Sequence, residues 1–110
     1  YVFIDDATTA FLMAGAVLSV TNGRYYVMGS GVGHTIKEMT EIVRNLVAKI
    51  TGKNVDIQNV TPPPGLSEIE FRHFVANTSR FRQDTGWKPM VTLEEGIKRT
   101  IDSFMKKGVK

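Results

Sequence analysis

Arg24-Tyr25-Tyr26-Val27-Met28, then Gly29-Ser30-Gly31-Val32-Gly33-His34, then Thr35-Ile36-Lys37-Glu38 follow one another without a break, and their order decides the expected fold. The first five residues have the aromatic and β-branched character of a short strand, and Asn22-Gly23 before them is a turn signal. The glycine run ends that strand. Thr35 and Glu38 then form a capping box, and Ile36, Met39, Val43, Leu46, Val47 and Ile50 recur at helical spacing until Gly52 closes the helix. Strand, glycine turn and helix predict an α/β chain, more narrowly a mixed α+β fragment with short strands and three main helices.

Towards the N-terminus, Tyr1-Val2-Phe3-Ile4 reads as an extended apolar run, and Asp5 or Asp6 offers a side-chain oxygen to cap a helix reaching about Ser19. Ala10, Phe11, Leu12, Met13, Ala14, Ala16, Val17 and Leu18 cover almost its whole circumference, and such a helix needs cover on more than one side. Towards the C-terminus, Val55 and Ile57 alternate with Asp56 and Gln58 as in a half-buried strand, before Pro62-Pro63-Pro64-Gly65 breaks the backbone into a loop. Residues 71–76 read as another short strand. Thr78 is placed to cap a brief helix stopped by Gly86. Thr92 with Glu95 starts a last helix whose Leu93, Ile97, Ile101, Phe104 and Met105 face inward.

With 110 residues there is room for one unit, and 42% hydrophobic with 23% charged residues is globular composition. Fourteen Lys and Arg against eleven Asp and Glu give a net charge of +3, too small an excess to mark a nucleic-acid or membrane surface. There is no Cys, which excludes disulfides and thiolate chemistry, and His34 and His73 alone do not make a zinc site. The uncharged stretch 7–23 is shorter than the roughly 20 apolar residues of a spanning helix and follows two aspartates, so it reads as neither anchor nor signal. The sequons at Asn59 and Asn77 carry no further sign of secretion.

Three patterns bear on chemistry. Gly29-x-Gly31-x-Gly33 before a helix looks like a dinucleotide fingerprint, but G-x-G-x-x-G needs glycine where His34 stands, and Asp56 falls within its strand rather than at its end. Asp5-Asp6 form a carboxylate pair, for which helix capping is the simpler role. Phe71-Arg72-His73-Phe74 through Arg80-Phe81-Arg82 interleaves aromatics with arginines, a mixture suited to stacking on a nucleobase and equally to core rings beside solvated helix residues. Trp87 before Lys88-Pro89 reads as a core plug. No triad or nucleophile motif is complete.

Taken in order, Tyr1-Val2-x-Ile4-Asp5-Asp6, the 25–36 stretch, Phe74-Val75-Ala76-Asn77-Thr78-Ser79-Arg80-Phe81 and Thr85-Gly86-Trp87-Lys88-Pro89-x-Val91-Thr92-Leu93-Glu94-Glu95-Gly96-Ile97 form a distinctive set. It resembles the C-terminal part of the extended short-chain dehydrogenase/reductases, the NAD(P)-dependent nucleotide-sugar epimerases and dehydratases. The resemblance implies that residues 1–110 are the nucleotide-sugar-binding portion of a cytoplasmic enzyme, whose Rossmann half binds NAD or NADP and lies outside this chain.

It implies a nucleotide-diphosphate sugar as ligand, no nucleic-acid or membrane partner, and no metal. The family's Tyr-x-x-x-Lys has no counterpart, since Asp5, Gly29 and Ser30 stand four residues beyond the three tyrosines, so no catalytic residue is expected here and the chain alone should be inactive. Matched by position, Tyr1, Ile36, Glu70, Arg72 and Phe74 are the expected substrate-binding residues. Ser67 replaces a family arginine, leaving Arg72 as the nearest guanidinium for a diphosphate; Val27 replaces the usual Asn and Asn77 the usual Asp. The uncovered first helix also implies self-association, as a homo-oligomer or by exchange of elements. A stand-alone, non-catalytic nucleotide-binding or regulatory module is the alternative.

Overall fold

The computed structural model describes residues 1–108. Its elements are α1 (Ile4–Ala16), α2 (Leu18–Thr21), α3 (Ile36–Thr51), a 3₁₀ turn (Glu68–Phe71), α4 (Ser79–Thr85) and α5 (Leu93–Lys106). None of the described residues lies in a strand, which overturns the α/β expectation. The segments 24–28, 54–60 and 71–76 have strand composition, but a strand exists only where a neighbour pairs its N–H and C=O groups. Here the N-terminal run and the glycine segment share one such bond, from Ser30 N–H to the Tyr1 carbonyl at 3.2 Å, and no ladder grows from it. Residues 71–76 begin inside the 3₁₀ turn instead.

The helix signals with local causes hold. At the start of α3, Thr35 Oγ1 accepts from Glu38 N–H and the Glu38 carboxylate accepts from Thr35 N–H, and Gly52 closes the helix in the left-handed region at φ 70°. Gly86 ends α4 in the same way, at φ 74°. Only half of the box expected at α5 forms: Thr92 Oγ1 accepts from Glu95 N–H, while the Glu95 carboxylate turns to Arg99 at 2.8 Å. Thr78 precedes α4 without a side-chain cap, and Asn77 Oδ1 accepts from Ser79 N–H instead. Phe104 and Met105, expected inward, are exposed.

Neither aspartate caps α1. Phe3 occupies the N-cap position, and the helix breaks at Val17, short of the expected end. Asp6 is buried instead, and its two carboxylate oxygens accept from Met90 N–H at 3.0 Å and Val91 N–H at 2.9 Å. Two features make a buried carboxylate tolerable there: amide donors that occupy both oxygens, and the partial positive charge of the helix N-terminus.

Beside Asp6, the Trp87 indole N–H donates to the Asp6 carbonyl at 3.0 Å. Trp87 is 1% exposed and packs with Ala10 and Phe81, ringed by Met13, Ala14, Tyr26 and Met28. The core is therefore a small knot joining the two ends of the chain. A second contact sets α3 against α5, where Gly96 is buried under the Phe3 ring. Between these lies an arm in which every residue from 52 to 75 is exposed. The radius of gyration, 17.4 Å, exceeds the about 13 Å of a compact chain of this length.

Candidate functional site

A cleft of about 620 Å³ lies between the N-terminal run, the glycine segment, the 89–92 connection and α5. Its walls include Tyr1, Phe3, His34, Met90, Ile97 and Thr100. Asp6 fixes one wall through residues 90 and 91, and Gly96 lets Phe3 seat against α5 with the Arg99 guanidinium 5.6 Å above its ring. The size suits a small molecule, and the lining is mainly apolar with a few polar groups. His34 Nδ1 lies 3.9 Å from Glu38 Oε2, an oxygen already accepting from Thr35 N–H.

Of the five substrate-binding residues expected from sequence, Tyr1 lines this cleft. Ile36 opens α3 and is exposed outside the lining. Glu70 lies in the 3₁₀ turn and Arg72 caps its end. The Arg72 guanidinium stands 5.5 Å over the exposed Phe74 ring, a cation–π pair on the arm. Glu70, Arg72 and Phe74 thus share one segment of the arm, while Tyr1 belongs to the cleft.

The glycine segment has a packing role. A Cβ at Gly29 would meet the Ala76 Cβ at 2.7 Å, and one at Gly33 would meet Val75 Cγ2 at 2.9 Å. These glycines let residues 75 and 76 approach closely, so the faces a pyrophosphate would need are occupied by protein. The residues present do not fit a dinucleotide.

One polar cluster went unseen in the sequence. Asp84 on α4 accepts from the Tyr26 hydroxyl at 2.7 Å and from Arg24 Nη1 at 3.0 Å. Arg80, one turn earlier, lies 5.8 Å over the rings of both Tyr25 and Tyr26. The Tyr26 hydrogen bond, with Arg24 adding to it, holds Asp84 below the usual aspartate range. Burial and the bond to Asp84 push the Tyr26 phenol up, and the bond to Asp84 raises Arg24. The Arg99 hydrogen bond likewise lowers Glu95. The partners of Asp84 are 58 and 60 residues away, so no local pattern announces the cluster.

No family model matches the chain, and no solved structure does. Two curated proteins are similar to it over nearly its whole length. One is a UDP-glucose 4-epimerase of Mycolicibacterium smegmatis, 30% identical over 107 residues, spanning 97% of this chain and 31% of the epimerase. Another is a dTDP-glucose 4,6-dehydratase of Salmonella typhimurium, 25% identical over 112 residues, spanning 96% of this chain and 28% of the dehydratase. The chain spans about a third of the length of the enzymes it matches, and it is their distant homologue. No helix among the described residues is long and apolar enough to cross a membrane.

Proposed function

We propose that this chain is the nucleotide-sugar-binding portion of an NAD(P)-dependent epimerase or dehydratase of the extended short-chain dehydrogenase/reductase family. One observation carries the proposal: the similarity runs through 97% and 96% of the chain to two enzymes that are both named for reactions of a nucleotide-linked glucose. The ordered motifs from Tyr1 to Ile97 support it independently. In such an enzyme the cofactor takes a hydride from the sugar ring and returns it, and this chain would contribute binding and orientation. The occupied faces of Gly29 and Gly33 favour a cofactor site formed by residues outside this chain.

Within this assignment Tyr1, Ile36, Glu70, Arg72 and Phe74 hold the nucleotide-diphosphate end. Arg72 supplies the guanidinium that Ser67 lacks, since its planar fork can give a phosphate two parallel charge-assisted hydrogen bonds. Among the described residues its guanidinium stands over the Phe74 ring and makes no ion pair, which leaves those donors available to an anion.

The coding sequence upstream of Tyr1 is the first test. A glycine fingerprint and a Tyr-x-x-x-Lys pair encoded in frame support the assignment; their absence favours a non-catalytic module. Titration of the full-length protein with UDP-glucose and dTDP-glucose is the second. Arg72→Ala should weaken binding about ten- to a hundredfold, the effect of losing one charge-assisted contact, and raise KM more than it lowers kcat. Unchanged affinity in a folded variant removes Arg72 from the site.

A further inference from the structure

Five asparagines occur in the chain, and the residue that follows each decides how far its side-chain amide can react. Asn45 precedes Leu46 inside α3, Asn54 and Asn59 precede Val55 and Val60, and Asn77 precedes Thr78. The side chains of those neighbours crowd the peptide nitrogen that follows the asparagine. Asn77 is held further, since its Oδ1 accepts from the Ser79 N–H at 3.1 Å and from the Ser79 hydroxyl at 2.7 Å. Asn22 alone precedes a glycine, whose nitrogen carries no such obstruction.

The fold leaves that pair open. Asn22 and Gly23 are both exposed, and a Cβ at Gly23 would meet nothing within 4 Å. They form the centre of a type II turn, with Asn22 at φ −58° and ψ 131°, Gly23 at φ 74°, and the Arg24 N–H donating to the Thr21 carbonyl at 3.1 Å. At this ψ the Gly23 nitrogen is turned away from the Asn22 amide. Bringing the two together means rotating ψ, which breaks one exposed hydrogen bond and disturbs no packed side chain. Such openings lie at the low end of local unfolding free energies.

We propose that Asn22-Gly23 is a self-modifying site, where the Asn22 amide is converted to aspartate and isoaspartate and the conversion detaches Arg24 from Asp84. The Gly23 nitrogen bonds to Asn22 Cγ, the Cγ–Nδ2 bond breaks, and Nδ2 leaves as ammonia with the proton lost by Gly23, closing a five-membered imide. Water then opens the ring, its hydroxyl going to a carbonyl carbon and its hydrogen to the Gly23 nitrogen. Opening at Cγ gives aspartate; opening at the main-chain carbonyl carbon gives isoaspartate, whose backbone runs through Cβ and Cγ. Water is the only co-reactant.

Either product acts on Arg24. The new carboxylate lies two residues from the guanidinium that Asp84 holds at 3.0 Å, and competes for it. In isoaspartate the lengthened backbone also removes the turn that aims Arg24 at Asp84. The Tyr26 hydroxyl, 2.7 Å from Asp84, keeps its bond, so the packing of Tyr26 on Phe81 stays in place. None of this depends on a nucleotide sugar, so the two proposals fail separately.

Peptide mapping of the incubated chain tests it. Trypsin releases Tyr1–Arg24, which contains Asn22 as its only asparagine and no glutamine. In warm, mildly alkaline buffer this peptide should gain the mass of an amide exchanged for a hydroxyl before any peptide holding the other four asparagines. The same peptide from an Asn22→Ser chain should keep its mass. In the converted chain the Asp84 titration, followed by NMR, should move up towards the ordinary aspartate range, because the Tyr26 bond persists while the Arg24 contribution is lost. An Asn22 amide that survives while another asparagine reacts first overturns the proposal. An Asp84 titration unchanged by complete conversion overturns the detachment of Arg24.

Discussion

Around Trp87, side chains from α1, α4 and the 87–91 connection close on one another; along the 52–75 arm, Val55, Ile57 and Val60 stand in solvent. Both regions are apolar enough to be core. The difference lies in what completes their backbones. The helices of the knot satisfy their own N–H and C=O groups, so their faces need only side-chain contact, whereas the arm needs a neighbouring strand before its side chains can be buried. Of the three buried residues of the knot, Ala10 and Phe81 lie on helices and Trp87 is tied to one through the Asp6 carbonyl, whereas no residue from 52 to 75 is buried.

Removing the centre of the knot is the most damaging way to test that contrast. Trp87→Ala should cost about 3–5 kcal/mol, a large share of the stability of a small domain, and chemical denaturation should show most molecules unfolded or nearly so. Trp87→Phe keeps a ring but loses the indole donor to the Asp6 carbonyl, and should cost less.

Next comes the clamp. Asp6→Ala strands the amides of Met90 and Val91, and a loss of about 2–4 kcal/mol is expected in denaturant titration. Asp6→Asn leaves one acceptor oxygen and should retain part of it. If Asp6→Ala were neutral, the two ends of the chain would not be joined through this carboxylate.

A smaller, pH-dependent effect should come from Asp84. Its pKa is depressed in the folded chain, so its contribution is complete above the ordinary aspartate range and disappears as pH falls through the depressed value. Tyr26 behaves in the opposite sense: its raised pKa gives a contribution present at neutral pH and lost as pH rises through that value. Melting temperature against pH, wild type minus Asp84→Asn, should narrow on the acid side; parallel curves would disconnect Asp84 from stability.

The arm should respond least. Val60→Ser is expected to change stability by no more than about 0.5 kcal/mol, and amides 53–74 should exchange hydrogen far faster than those of α3. Strong protection of 54–60 would mean that the arm had found a strand to pair with.

Sequence legibility divides along the same line. The Thr35–Glu38 box, the stops at Gly52 and Gly86 and the Trp87 plug were readable, because each depends on residues within a turn or on the need to bury a large ring. The strands were misread, because Tyr25, Val27, Val55 and Ile57 state a preference for a pleated surface and cannot supply it. Asp6 was misread for a related reason. Its position suits a cap, and only the fold brings residues 90 and 91, 84 and 85 positions away, to its oxygens. Of the expected binding residues, Tyr1 reaches the cleft, while the cleft's other walls are joined by tertiary contacts that leave no local motif.

The separation between Asp6 and its amide partners also sets an order of events during synthesis. A ribosome adding about 5–20 residues per second needs roughly 4–17 s to pass from Asp6 to Met90, and α1 emerges throughout that interval without the tryptophan that packs on it. Nascent chains would meet chaperones, or one another on a polysome, before they could meet their own C-terminal half.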